Sequence, residues 1–159
     1  MGINYASIKS LFEQLKIKDQ TSFDFQYSQF TIWITRYTKR EYLEDTPAFI
    51  VVPSTINRGF DIYLPSQLRL SFRKPVCLHE VVEAIIYNDP ANINRSPLEI
   101  GEVDTRRKQA HIAARKYDGR YAQETLSDQE YHQYLTMRDN LEHLIDHRRR
   151  FRDVVNFMR

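Results

Sequence analysis

The stretch that decides the fold reads Val76-Cys77-Leu78-His79-Glu80-Val81-Val82-Glu83-Ala84-Ile85-Ile86-Tyr87. Its apolar side chains recur at the three- and four-residue spacing of a helix and fill one broad face. Pro75 precedes it, and proline is well tolerated in the first turn of a helix. Asn88-Asp89-Pro90 follows and is typical of a helix end. We therefore expect a helix over residues 76–88.

Three polar side chains interrupt this apolar helix. His79 and Glu83 are four residues apart, so their side chains lie one turn apart on the same side. Glu80 projects roughly 100° away from His79 around the helix axis. A neutral histidine nitrogen and a carboxylate oxygen are both competent ligands of zinc. The spacing therefore indicates two ligands for a divalent metal, with a second carboxylate beside them.

The segment Leu78-His79-Glu80-Val81-Val82-Glu83-Ala84 resembles the active-site helix of the zincin-like metallopeptidases, whose pattern is His-Glu-x-x-His. The resemblance implies that His79 and Glu83 bind the metal and that Glu80 is the catalytic general base. It also implies a peptide or protein substrate, held along the edge of a strand. Glu83 stands where the family has its second histidine.

Zincin families with this helix take a third ligand from a later helix, and His111 is the candidate that the sequence offers. It lies among small residues in Gln109-Ala110-His111-Ile112-Ala113-Ala114, which allow close approach of another helix. Asp118 lies seven residues further on the same face and is expected to support a ligand. Glu99 and Glu102 are competing candidates. Zinc is the first expectation, and a two-histidine, one-carboxylate set also suits iron(II) or manganese.

The rest of the chain predicts an α+β fold in one domain, residues 1–159, with a small antiparallel sheet in the N-terminal half packed against C-terminal helices, as in zincins. A first helix is expected over 5–17. Strand-like patterns follow, two of them adjacent and typical of a hairpin: 23–27, 31–35, 48–52 and 60–64. Two capping patterns, Ser96-Pro97-Leu98-Glu99 and Ser127-Asp128-Gln129-Glu130, predict two further long helices.

Composition favours an ordinary globular chain in the cytoplasm. Hydrophobic residues make up 42% and charged residues 28%, values that do not favour disorder. The one cysteine, Cys77, cannot form an internal disulfide, which is typical of an intracellular protein. The first twenty residues carry no apolar run of the signal-peptide type, and no segment has the length of a membrane span.

Several alternatives stay open. The basic run His147-Arg148-Arg149-Arg150-Phe151-Arg152 could serve a non-catalytic binding module for nucleic acid or an acidic protein, although the net charge is only +2. A degenerate zincin that serves as an interaction domain is another. His143 and His147 could form a surface metal site, and Cys77 is expected to be a small buried thiol, not a nucleophile. The sequence does not determine the oligomeric state.

Overall fold

The computed structural model describes residues 3–16, 22–27, 30–37, 50–54, 59–65, 68–87 and 100–140. The elements follow in the order α1 (Tyr5–Gln14), β1 (Ser22–Tyr27), β2 (Phe30–Tyr37), β3 (Ile50–Ser54), β4 (Gly59–Pro65), α2 (Leu70–Tyr87), α3 (Ile100–Thr125) and α4 (128–140).

The helix starts are fixed by short polar side chains. The side chain of Asn4 accepts a hydrogen bond from the backbone N–H of Ser7 at the start of α1. At the start of α4 the backbone N–H of Glu130 donates to Ser127 Oγ over 3.3 Å. Such caps satisfy backbone donors that the first turn of a helix leaves without a partner. The sequence signal at Ser127 therefore coincides with a helix start in the structure.

Helix α2 begins six residues before the predicted start, at Leu70, so Pro75 lies inside it and not in its first turn. A proline inside a helix removes one backbone hydrogen bond, which normally disfavours this arrangement. Packing compensates here, because Phe72 and Arg73 in the added turn are each only 6% exposed. The ring of Phe72 lies edge-on to Tyr134, and Arg73 Nε donates to the carbonyl of Leu68. Tertiary contact thus overrides the local signal.

One cluster of buried side chains joins the helices and two of the strands. The inward face of α2 supplies the largest share, including the fully buried Leu78, Val81 and Val82. α1 adds Ile8 and Phe12, and the ring of Phe12 lies edge-on to that of Tyr121 on α3. Burial of this apolar surface is the main favourable term in folding. The core therefore fixes α2 between its neighbours and positions the polar side chains of that helix.

The four strands pair through their backbones in the order β1-β2-β4-β3. β1 and β2 are antiparallel, as are β3 and β4, but β2 and β4 are parallel. Ile32 and Ile34 of β2 and Ile62 and Leu64 of β4 alternate along their strands and are fully buried against the helices. The predicted antiparallel sheet is therefore wrong in the pairing of its two central strands.

The predicted α+β fold class is also wrong, because the protein is mostly helical. Where the structure places side chains as well as backbone, 81% of the residues are helical, and 31–34 is the only continuous strand segment in that part. Alternating patterns in the N-terminal half predict a small antiparallel sheet that packs against the C-terminal helices. Long helices instead supply most of the buried surface, because their apolar stripes pack on one another. The predicted fold class included a zincin-like sheet, and the same finding corrects that part of the prediction.

Replacement of Phe12 by alanine is expected to lower the free energy of unfolding by about 3–5 kcal/mol, because it removes a fully buried ring. Leu70→Ala is the matched control, since Leu70 is 56% exposed and its loss is expected to cost about 0.5 kcal/mol or less. Urea denaturation followed by circular dichroism measures both values. Equal effects of the two substitutions would contradict the core described here.

Candidate metal centre

Two helices bring the predicted site residues together. α2 carries His79 and Glu83 one turn apart, and α3 carries His111 facing them. The neighbours of His111 on its buried side, Ala110 and Ala114, are both fully buried. Their small side chains let the backbones of the two helices approach closely. The local sequence around His111 therefore explains how a side chain 32 residues away in the chain reaches His79.

Three potential ligand atoms form a small triangle. His111 Nδ1 lies 2.8 Å from Glu83 Oε2, His79 Nε2 lies 3.2 Å from the same oxygen, and the two nitrogens are 3.1 Å apart. A tetrahedral zinc ion with ligands at about 2.0–2.1 Å separates neighbouring donor atoms by about 3.3–3.4 Å. The triangle is therefore close to one face of such a tetrahedron, and it needs only a small expansion to hold the ion.

Hydrogen bonds alone cannot make all three contacts favourable. Glu83 is acceptor-only when ionised, so each histidine nitrogen must carry a proton to bond to it. The two N–H groups then face each other across 3.1 Å. Removing either proton makes the nitrogen–nitrogen contact favourable, but it turns a nitrogen lone pair toward the carboxylate. A central cation is attracted to all three atoms at once, and this favours the set as a metal site.

The site opens toward solvent on one side. The side chain of His79 is 7% exposed, that of Glu83 is 19% exposed and that of His111 is 34% exposed. Structural zinc sites are closed by four protein ligands, whereas catalytic sites have three and leave a position for water or substrate. Three ligands with graded exposure fit the second kind.

Asp118 lies behind His79, on the side away from the three-atom triangle. Its Oδ1 is 3.5 Å from His79 Nδ1, which is longer than a well-formed hydrogen bond, and the carboxylate is fully buried. Ligand histidines commonly donate their second ring N–H to a carboxylate, which fixes the ring and its tautomer. Asp118 therefore occupies the position from which it can orient His79 with Nε2 toward Glu83 and His111.

The charges of the site perturb both α2 ligands. Burial by itself lowers the pKa of His79, but the nearby carboxylates of Asp118 and Glu83 outweigh it and raise the pKa to about 10. Burial raises the pKa of Glu83, but hydrogen bonds from His111 and His79 outweigh it and lower the pKa to about 2. In the metal-free protein His79 is therefore a cation held between two carboxylates.

Glu80 is partly exposed and lies close enough to the other groups to sense their charges. Burial raises its pKa to about 7, with a further increase from Glu83 that is opposed by His79, His111 and Arg107. A general base works best when its pKa is near the working pH. The sequence-predicted catalytic residue thus has a proton affinity suited to that task.

Of the remaining candidates from the sequence, only Cys77 has a described side chain. Cys77 is fully buried, and burial followed by the charge of Glu80 raises its thiol pKa well above the usual value. Glu102 belongs to α3, but its side chain is outside the described part of the structure. Outside the described residues lie Glu99, His143, His147 and the basic run 147–152. Among the described histidine, cysteine and acidic residues, His79, Glu83 and His111 are the group that could hold a metal.

The structure adds two site neighbours that the sequence analysis did not single out, Tyr134 and Arg138 of α4. The hydroxyl of Tyr134 donates to Asp118 Oδ2, and Arg138 Nη1 lies 3.1 Å from the same oxygen. The sequence shows Tyr134 and Arg138 four residues apart, a spacing that puts both on one side of a helix. Their shared partner lies on another helix, however, and no local pattern indicates it.

Comparisons with known protein families, with curated proteins and with solved structures each found no match for this chain. Among the described residues, no helix combines the length and the apolar character needed to span a lipid bilayer.

In the metal-free protein the imidazole of His79 is expected to stay charged at pH 8, where an ordinary histidine is neutral. Because its folded-state pKa of about 10 exceeds the ordinary 6.5, its contribution to stability is complete below pH 6.5 and is lost as the pH rises through 10. Ring ¹H–¹³C NMR during a pH titration measures this.

The same titration of the protein unfolded in urea is the control, because an ordinary imidazole titrates near 6.5. Asp118→Asn is expected to lower the midpoint of His79, because it removes one of the two carboxylates that hold the charge. A His79 midpoint near 6.5 in the unaltered protein would contradict the described electrostatics.

Proposed function

We propose that the protein binds one divalent metal ion, zinc in the first instance, through His79, Glu83 and His111, and that it is a metal-dependent hydrolase of peptide bonds. The metal site is supported by the residues themselves. The choice of peptide bonds comes from the resemblance of the His79–Glu83 helix segment to zincin-like metallopeptidases. Iron(II) and manganese are the alternative metals for this ligand set.

One observation carries the proposal: three ligand atoms from two helices lie within 3.2 Å of one another. Two imidazoles and a carboxylate at this separation repel in at least one contact without a cation. A folded protein tolerates such an arrangement at functional sites more often than elsewhere. The solvent access on the His111 side leaves room for a water molecule and a substrate.

Each residue then has a separate task. A bound zinc ion would supply Lewis acidity that makes water a better nucleophile and polarises a carbonyl group. His79 and Glu83 hold their positions through the rigid, buried α2, whereas His111 closes the site from α3. Glu80 accepts the proton of the attacking water and passes it to the leaving amine, because it lies beside His79 with a pKa of about 7.

The binding-module alternative rests on residues 147–152, which lie outside the described part of the chain. No described contact favours it over metal binding. A degenerate zincin, with a metal but without hydrolysis, makes the same prediction for metal content and a different one for activity. The two experiments below therefore separate these possibilities.

Protein purified without chelator is expected to contain about one equivalent of a transition metal per chain, as a three-ligand site requires. His79→Ala and His111→Ala should each remove most of it, because two ligands hold an exposed ion weakly. His132→Ala is the control, since it replaces an exposed histidine of α4 outside the three-residue set. Mass spectrometry of the digested protein measures the metal.

A metal content below about a tenth of an equivalent in the unaltered protein, unchanged on addition of zinc, would contradict the metal site. Equal loss in all three histidine variants would show that the metal binds elsewhere.

Glu80→Gln is expected to retain the metal and to lose hydrolysis by a factor of about 10² or more, because the amide cannot accept the proton. Cleavage of a mixture of internally quenched peptides, with added zinc, measures the activity. Glu13→Gln, on the outer side of α1, is the matched control for loss of one carboxylate. Metal binding without any Glu80-dependent cleavage would support the degenerate zincin instead.

A further inference from the structure

We propose that Tyr134 and Arg138 of α4 are positioning residues for the metal centre. Through Asp118 they orient His79, so that metal binding and the docking of α4 are thermodynamically coupled. This inference rests on the proposed metal site and adds a helix that supplies no ligand to it. The supporting observations are the hydrogen bonds of one buried carboxylate, that of Asp118.

Asp118 is fully buried, and its carboxylate lies between the side chains of α4 and the imidazole of His79 on α2. Oδ2 accepts from the hydroxyl of Tyr134 and from Arg138 Nη1, the latter over 3.1 Å. Oδ1 lies 3.3 Å from the same guanidinium nitrogen and 3.5 Å from His79 Nδ1. Both strong donors to Asp118 thus come from α4, and they leave Oδ1 available to the imidazole.

The two donors are themselves held firmly. Tyr134 is 1% exposed, and its ring lies edge-on to that of Phe72 on α2. Arg138 Nη1 also lies 3.3 Å from the backbone carbonyl of Arg115, one turn before Asp118. α3 packs closely beside this guanidinium, since a β-carbon at Gly119 would lie 3.4 Å from Nη1. The carboxylate consequently has little freedom to rotate away from His79.

A buried anion of this kind is costly unless its partners are in place. Loss of Tyr134 or Arg138 would leave Asp118 to bond more closely to its other partners, among them His79 Nδ1, or to draw water into the core. Either response moves or tilts the imidazole that presents Nε2 to the metal. Because linkage is reciprocal, a metal that fixes His79 must also stabilise the contact of α4 with Asp118.

The test compares zinc dissociation constants, measured by competition with a chromophoric chelator. Asp118→Asn and Tyr134→Phe are expected to weaken zinc binding about 10- to 100-fold, the usual range for residues that orient a ligand. Phe12→Leu is the matched control, because it destabilises the same core at a ring that packs edge-on against Tyr121. It should lower the melting temperature and leave the zinc dissociation constant within about twofold.

Hydrogen exchange of the unaltered protein supplies an independent measurement that needs no variant. Zinc is expected to slow exchange across 128–140, although none of the three ligands lies there. Zinc binding that leaves the exchange of α4 unchanged would overturn the inference. So would Tyr134→Phe and Phe12→Leu variants with equal zinc affinity. Failure of the unaltered protein to bind zinc would instead refute the proposed function itself.

Discussion

The buried carboxylate of Asp118 is the constraint on which the polar half of this structure depends. It is fully excluded from solvent, and an isolated charge in that position would cost several kcal/mol. The protein satisfies it from two sides, with Tyr134 and Arg138 of α4 and with His79 of α2. α3 therefore cannot shift relative to α2 or α4 without exposing this charge to solvent or separating it from its partners. The same contacts determine where the imidazole of His79 can lie.

Helix α2 has an apolar face that packs in the core and a polar border that carries the site residues. Its inward face, with Leu78, Val81 and Val82, is fully buried and joins the common core. His79 and Glu83 point along the border of that core toward α3, where Ala110 and Ala114 permit close approach. A core packed to crystal-like density changes shape little. Hydrophobic packing thus sets the distances between the three potential ligand atoms. Metal binding would need only a small increase in these distances.

Local signals in the sequence predict that three polar side chains lie near one another, whereas the fold class depends on contacts between distant segments. Helical spacing places His79 and Glu83 on one side of a helix, and the alanines around His111 mark a close helix contact. Both are local signals, and the structure brings the three side chains together. The mostly helical class was not predicted, because the alternating apolar and polar residues of the N-terminal half indicate strands, whereas long helices supply most of the buried surface. The parallel pairing of β2 with β4, and the contact of Tyr134 with Asp118, join distant segments, and no periodicity specifies them.

Under the proposed function, the charge balance explains why a carboxylate can stand at position 83, where the His-Glu-x-x-His pattern has a histidine. In the metal-free protein the positive charges of His79 and Arg138 offset the negative charges of Glu83 and Asp118, so the cluster is close to neutral. Under the proposed function, a divalent cation replaces the proton of His79 and adds one positive charge. That added charge favours the ionised form of the nearby Glu80, the form in which it can accept a proton. With histidine at position 83 the metal-bound cluster would have two excess positive charges. The single negative charge of Glu80 could not neutralise both of them. The anionic ligand therefore suits a site that is buried beside a carboxylate–guanidinium pair and has one ionisable base.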